Sequence, residues 1–325
     1  MAGMSTRGGR RRLAAGALVG AIAVSWLAAA GAQTAETAGM ITEIKAGSGK
    51  VEAKAGAADW RPAAPLLTLR AGDQVRTAGD ATAVVLLAGG RGAVRVSAAT
   101  SPYTVAGIPA GDGTAQKARA LLSASLGFLG AGAKEQPKAV LSTRGGSRPP
   151  EILGPRNGPV LPDALVFEWL GSPFSRYTVR VLDPSGIVLE KKGVVGARLA
   201  YPADAPALAP GVRYRLQVEA LGQPAQEAWF ELVDPARAAA VRADLAQLDA
   251  ALGPGVSPDS AAAVRGGALA AQGLYHDARL TALTALARNP DDPALHMLLG
   301  NLYQKIGLPQ LAAESFDEAA FLLSR

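Results

Sequence analysis

The sequence predicts a multidomain α+β protein with β-rich modules first and helices at the C-terminal end. Up to about residue 232, short apolar segments of period two alternate with Gly- and Pro-containing turns, a pattern typical of strands. From residue 236 the spacing becomes helical, and similar residues recur 34 positions apart. A chain of 325 residues is long enough for two or three domains. The predicted segments are a leader at 1–32, a β module at 35–108, a helix and linker at 109–150, a β-sandwich at 151–235 and helical repeats at 236–325.

The segment 1–32 has the features of an export signal. Arg7 and the Arg10–Arg12 run precede an apolar stretch, Leu13–Ala30, and small residues stand before Gln33. We therefore expect cleavage between Ala32 and Gln33 and a periplasmic or other extracytoplasmic location. The alternative is an uncleaved membrane anchor, and membrane contact is expected only in that case. Removal of the four arginines would lower the formal charge from +6 to about +2, so no nucleic-acid partner is expected.

Residues 35–108 are predicted to form a compact β unit around Leu69–Leu87. In that stretch Gly72-Asp73 and Gly79-Asp80 indicate turns, and Thr82–Leu87 is an apolar, β-branched run. The other strands are predicted at Met40–Ile44, Lys50–Lys54, Ala93–Ser97 and Tyr103–Val105.

The residues of this unit resemble the FecR-like periplasmic domain. The resemblance covers most of the unit and rests on Ile41–Ile44, Val51, Trp60, Leu69, the motif Gly72-Asp73-x-Val75-Arg76-Thr77 and Ala83–Leu87. It implies a module outside the cytoplasmic membrane that passes protein–protein signals. The family's Asp-Gly turn is Gly89-Gly90 here, and the apolar stretch begins as early as Leu13, so an anti-sigma role is not expected. Asp73, Arg76 and Thr77 either shape the turn or contact a partner.

Residues 109–150 are expected to contain a helix at Thr114–Leu129 and a solvated basic linker at Lys134–Pro150. Gly111-Asp112-Gly113 followed by Lys117 does not have the spacing of a phosphate-binding loop.

Residues 151–235 are predicted to form a β-sandwich. Alternation is clearest from Val212 to Ala220. The segment Leu208–Tyr214 resembles the L-x-P-G-x-x-Y signature of the fibronectin type III fold, and the resemblance extends over the whole of this module. Trp169 and Tyr214 are expected in the core; an exposed sugar platform is the alternative. Strands are predicted at Leu165–Leu170, Tyr177–Leu182, Ile187–Lys191, Ala197–Tyr201, Val212–Leu221 and Ala228–Leu232.

The last segment resembles tetratricopeptide repeats, because its 34-residue spacing is the period of that family. The resemblance covers two copies of the repeat. Positions that match the family are Gly273, Ala278 and Ala285 in the first copy, and Leu299, Gly300, Tyr303, Gly307, Ala312, Phe316 and Ala319 in the second. A preceding helix, Arg237–Leu252, is expected to pack as a cap. The resemblance implies that a partner peptide binds in a concave groove; the alternative is a self-contained bundle that docks on its own β-sandwich or dimerises.

The sequence shows no catalytic constellation. His276 and His296 are the two histidines, and neither has a Ser/Asp partner or a carboxylate set at a suggestive spacing. The chain has no cysteine. We expect no enzyme activity, no catalytic or metal-binding residue and no cofactor.

Three functions remain open at this stage, and the least favoured of them is a cell-wall hydrolase with a cryptic site. The first is an exported, non-enzymatic adaptor of the cell envelope that acts in signalling or assembly and holds a protein or peptide with its helical repeats. The alternative is a protein that binds a carbohydrate or cell-wall polymer through the β modules.

Overall fold

The computed structural model describes residues 37–88, 92–107, 113–131, 149–163, 165–253 and 255–324. The predicted leader with its cleavage site at Ala32 and Gln33, the Gly89-Gly90 turn and most of the basic linker lie outside these residues. From Glu36 to Arg325 the chain forms one compact unit. The segments that the sequence predicts as successive modules therefore pack against one another.

The N-terminal β module (residues 37–107) consists of two four-stranded sheets. Their strand orders are β4-β1-β6-β7 and β3-β2-β5-β8, and all pairs are antiparallel. The strands are β1 Gly39–Lys45, β2 Lys50–Lys54, β3 Arg61–Pro62, β4 Thr68–Leu69, β5 Gln74–Ala78, β6 Thr82–Leu87, β7 Ala93–Val96 and β8 Tyr103–Thr104. The turn at Gly79-Asp80 carries the chain from one sheet to the other, so β5 and β6 are not paired as a hairpin.

The middle β module (residues 149–233) packs a three-stranded sheet, β14-β11-β9, against a five-stranded one, β10-β16-β15-β12-β13. Its strands are β9 Glu151–Gly154, β10 Gly158–Val160, β11 Val166–Leu170, β12 Arg176–Asp183, β13 Gly186–Val195, β14 Arg198–Ala200, β15 Arg213–Ala220 and β16 Gln226–Leu232. Trp169 and Tyr214 are buried between the sheets. Strands β9 and β10 were not predicted, and β10 pairs with β16 in parallel.

The helices in the described part of the chain are α1 Gly113–Ala131, α2 Pro235–Leu252, α3 Pro258–Ala271, α4 Tyr275–Leu286, α5 Pro293–Lys305 and α6 Pro309–Leu323. Side chains of Asp234, Ser257 and Asp292 cap the N-termini of α2, α3 and α5. The coarse expectation of a mixed α+β chain with its helices mainly C-terminal is confirmed. Among the described residues, none of the helices is both long and apolar enough to span a membrane.

One hydrophobic core joins the helices to the N-terminal β module. Met40, Leu66 and Leu86 pack in the same buried cluster as the leucines of α1 and the inner residues of α2 to α6. Leu153 and Leu161 of the middle β module are partly buried against that cluster. Each β module also has a smaller core between its own sheets.

Candidate functional site

The Gly72–Thr77 motif lies at the start of β5, and several of its polar groups form hydrogen bonds within the N-terminal β module. Gly72 has a φ of +87°, a left-handed conformation that favours glycine. The buried Asp73 carboxylate accepts hydrogen bonds from the backbone N–H groups of Gly56 (3.1 Å) and Arg70 (2.8 Å). Asp73 therefore fixes the turn before β5 to the loop after β2.

Two other motif residues make contacts along β5. Arg76 donates to Glu52 at 2.7 Å, which lowers the pKa of that carboxyl, and its guanidinium lies 4.3 Å from the ring centroid of Trp60. The Thr77 backbone N–H donates to the Ser101 hydroxyl at 3.0 Å. Val75, which precedes them on β5, is fully buried.

The predicted repeat positions lie at the close contacts between helices. Gly273 and Gly307 both have a φ of +80° and turn the chain from α3 into α4 and from α5 into α6. The alanines at equivalent positions of the two copies are fully buried: Ala278 with Ala312, and Ala285 with Ala319. In the second copy Leu299, Tyr303 and Phe316 are buried as well.

Gly266 and Gly300, at equivalent positions of the two copies, are points at which side chains approach the backbone very closely. A Cβ atom on Gly266 would lie 2.4 Å from Leu298 Cδ2, and one on Gly300 would lie 2.4 Å from the Phe316 ring. A side chain at either position would therefore require the Leu298 side chain or the Phe316 ring to move.

The inner face of the helical repeats is covered by α1, which comes before the middle β module in the sequence. The α1 residues Leu122, Leu126 and Leu129, spaced along one face of the helix, are buried. The helix packs against both α3 and α5. The inner face of the repeats is therefore occupied by a helix of the same chain, an arrangement that the sequence did not predict.

Polar contacts fix the register of α1 on the repeats. The Ser125 hydroxyl donates to the Val264 carbonyl at 2.6 Å, and Gly267 faces Ser125 so closely that a Cβ would lie 2.4 Å from its Oγ. The Asn301 amide, at the position of the second copy that corresponds to Gly267, donates to the Phe128 carbonyl at 2.8 Å. Equivalent positions of both repeats thus contact the same helix.

The middle β module binds the helices through a loop and a strand. Arg156 Nε and Asn157 Nδ2 both donate to the Ile306 carbonyl at the C-terminal end of α5, at 2.9 and 3.1 Å. On β11, Glu168 pairs with Arg279 of α4 at 2.8 Å, and Arg279 is buried. A buried charge pair of this kind is specific in geometry, because either partner alone would be costly.

Two further ionisable groups of α4 lie against the same module. Burial lowers the pKa of His276 to about 4, with repulsion from Arg279 as the second cause. Burial also raises the pKa of Asp277 to about 6, although its carboxylate accepts the Leu161 N–H at 3.2 Å. At neutral pH the buried His276 imidazole is neutral, and the partly buried Asp277 carboxylate is charged.

An open cleft of about 730 Å³ separates the N-terminal β module from the helices. One wall consists of β1 from Thr42 to Lys45 with residues 63–65, and the other consists of the N-terminal ends of α3 and α5 with the last residues of α6. In the described chain, β4 pairs only with Gly39 and Met40, so the cleft wall from Thr42 onward is a strand edge.

The cleft lining is acidic. It contains Glu43, Asp259, Asp291 and Asp292 and one basic residue, Lys45. Burial raises the pKa of Asp292, and Asp259 and Glu43 add repulsion, although the Leu295 N–H donates to its carboxylate and opposes the shift. The positive ends of the α3 and α5 dipoles also stabilise acids at this place. Within the described residues no group of three or more metal-ligating side chains is found.

Neither the partners of α1 nor the cleft could be read from the sequence. The apolar face of α1 was visible in the sequence, whereas its position on α3 and α5 was not. Glu43 gave no signal, because a lone carboxylate in a predicted strand is typical of a solvated face. No family model matches the chain, and no curated protein is similar to it at a significant level.

Proposed function

We propose that this protein is an exported, non-enzymatic adaptor of the cell envelope. In this proposal a FecR-like module, a fibronectin type III-like sandwich and tetratricopeptide-like hairpins form one compact body that binds a protein partner. The observation that carries the proposal is the cleft between β1 and the helix N-termini, because it combines a strand edge with a concentration of carboxylates.

The two walls of the cleft favour an extended, cationic segment as the bound element. A strand edge binds a peptide by adding one more strand, through main-chain hydrogen bonds. The opposite wall carries Asp259 and Asp291, which would attract Lys or Arg side chains of the added strand. The helical repeats thus contribute to partner binding through their N-terminal ends, while α1 covers their inner face.

The buried positions of Trp169 and Tyr214 favour the protein partner over a wall polymer, because an aromatic sugar platform must be exposed. The ring of Trp60, on the surface of the N-terminal β module, makes cation–π contacts with Arg76 and Lys54. The Lys54 ammonium lies 5.8 Å from the ring centroid. Binding to a wall polymer through the β modules is the alternative that the same experiment tests.

The experiment is a cross-linked capture of tagged full-length protein from intact cells, followed by mass spectrometry of bait and prey. We compare the wild type with Asp259→Asn/Asp291→Asn, which removes two cleft charges, and with Asp317→Asn/Glu318→Gln, which removes two exposed charges from α6. One dominant protein prey that is lost in the cleft variant and kept in the α6 variant is the expected result.

Equal capture by the three proteins would refute the cleft assignment, and recovery of wall fragments alone would favour the polymer alternative. The N-terminus of the bait separately tests export, since cleavage after Ala32 leaves Gln33 first. Deletion of 236–325 is not a clean test of partner binding, because these residues share a core with the N-terminal β module.

A further inference from the structure

One end of the middle β module exposes large apolar side chains on three separate loops. Phe174, between β11 and β12, is 95% exposed, and Leu221, between β15 and β16, is 98% exposed. Val195, where β13 ends, is 64% exposed. Single exposed apolar residues are common, but several at one place indicate an interaction surface.

The strand register places these loops side by side. Arg176 of β12 pairs with Val195, and Tyr177 pairs with Ala220 of β15. Since β15, β12 and β13 are consecutive in the sheet and neighbouring strands lie about 4.8 Å apart, the three strand ends span only about 10 Å. We call this group of loops, residues 171–175, 195–197 and 221–225, the apolar tip.

Hydrogen bonds fix the backbone of the two turns that carry the most exposed side chains. The Tyr177 hydroxyl donates to the Ser172 carbonyl at 2.8 Å, and the Ser175 N–H donates to the same carbonyl at 3.2 Å, which forms the turn that presents Phe174. The Gln223 N–H closes the turn around Leu221 by donating to the Ala220 carbonyl at 3.0 Å. Both side chains therefore project into water from fixed turns.

The charge around the apolar tip is basic. The segments 171–176, 191–198 and 221–226 contain no acidic residue, and their basic residues are Arg176, Lys191, Lys192 and Arg198. The nearest acid on β15, Glu219, is paired with Arg180 at 2.7 Å. Two of the basic residues are partly neutralised, Lys192 by Glu190 of the same strand at 3.1 Å and Arg198 by Glu168 of the neighbouring β11 at 3.7 Å.

We propose that the apolar tip inserts into the surface of a lipid bilayer that contains anionic phospholipids. Apolar side chains that project from convex turns fit the boundary between headgroups and acyl chains, and nearby cations attract the phosphates. From the sequence, membrane contact is expected only through an uncleaved leader. The apolar tip would be a second point of membrane contact.

The absence of cysteine from the chain allows a direct test in full-length protein. Leu221→Cys carries an environment-sensitive fluorophore, and vesicles of phosphatidylglycerol and phosphatidylcholine are added. The matched control is Ile187→Cys, which is 58% exposed at the opposite end of β12 and β13. We expect a blue shift, and quenching by spin-labelled lipid, at position 221 only. Because the fluorophore reports its own surroundings, an inserted leader does not produce this signal.

A second variant tests the contribution of the neighbouring loop. Adding Phe174→Ser to the labelled Leu221→Cys protein should weaken partitioning into these vesicles about tenfold or more, since a large apolar side chain is lost from the inserted surface. Phe174 makes almost no buried contact, so the fold is retained. The proposal is overturned by an unshifted spectrum at 221, by equal shifts at 187 and 221, by undiminished partitioning of the Phe174→Ser protein, or by equal partitioning into pure phosphatidylcholine.

Discussion

Two adjacent residues of α4, His276 and Asp277, are predicted to give opposite pH dependences of stability. His276 is buried and Asp277 is partly buried where α4 packs on the middle β module. The pKa of His276 falls from 6.5 to about 4 and that of Asp277 rises from 3.8 to about 6. Arg279 and Glu168 are the charged neighbours of the imidazole, and Asp163 is that of the carboxylate.

The sign of each effect follows from which state binds the proton more tightly. Between about pH 6.5 and 4 the unfolded chain protonates His276 while the folded chain does not, so His276 makes the protein less stable as the pH falls. Between about pH 6 and 4 the folded chain protonates Asp277 first, so this residue makes the protein more stable as the pH falls. At 1.36 kcal/mol per pKa unit, each effect is on the order of 3 kcal/mol, and in the wild type they largely cancel.

Single substitutions should reveal the two hidden contributions. Urea unfolding followed by tryptophan fluorescence gives the free energy of unfolding at about pH 7 and pH 4. When the pH is lowered from about 7 to about 4, the free energy of unfolding of His276→Gln should rise by about 3 kcal/mol relative to that of the wild type. That of Asp277→Asn should fall by about 3 kcal/mol relative to the wild type.

The control is His296→Gln, which removes the other histidine of the chain, a surface residue whose Nε2 lies 2.7 Å from the Pro290 carbonyl. If the stability difference between each variant and the wild type did not change with pH, the argument from burial would be refuted. If both variants shifted in the same direction, the opposite signs assigned to the two groups would be wrong.

Three further predictions concern buried contacts, and each is measured by urea unfolding at neutral pH. Leu126→Ala, which removes a buried contact of α1, should cost about 2–5 kcal/mol, and a loss below about 1 kcal/mol would argue against the docked position of the helix. Gly300→Ala should cost about 1–3 kcal/mol because the new methyl group meets a ring, whereas Gly127→Ala, with nothing within 4 Å, should be neutral or stabilising. Glu168→Gln should cost about 3–5 kcal/mol by leaving Arg279 buried without its charge partner, and a change below about 1 kcal/mol would contradict that pairing.

The sequence predicted those strands that can be recognised from their own residues alone. Lys50–Lys54 and Thr82–Leu87 form strands with the predicted bounds, because alternation or a β-branched apolar run identifies them locally. Strands β9 and β10 were missed for a local reason as well. Pro155 and Pro159 interrupt this region, and Pro159 is accommodated because β10 is an edge strand.

The contacts between modules could not be predicted, because periodicity shows that a face is buried but not what covers it. Leu122 and Leu126 stand at helical spacing within the predicted helix Thr114–Leu129, yet nothing in their spacing indicates α3 and α5. Arg156 and Asn157 stand in a Pro- and Gly-containing loop that is typical of a solvated turn, and they bind the carbonyl of Ile306, which is remote in the sequence. Such pairs depend on the tertiary arrangement alone.

The position of α1 also determines where a partner can bind. A helix that belongs to the same chain competes for the inner face of the repeats at an effective concentration on the order of millimolar. A separate partner helix present at micromolar concentration would therefore need about a thousandfold higher intrinsic affinity to displace it. The cleft beside β1 is an open space between its two walls, so a partner can enter it without displacing α1. A partner of ordinary affinity is thus expected at the cleft, with α1 remaining in place.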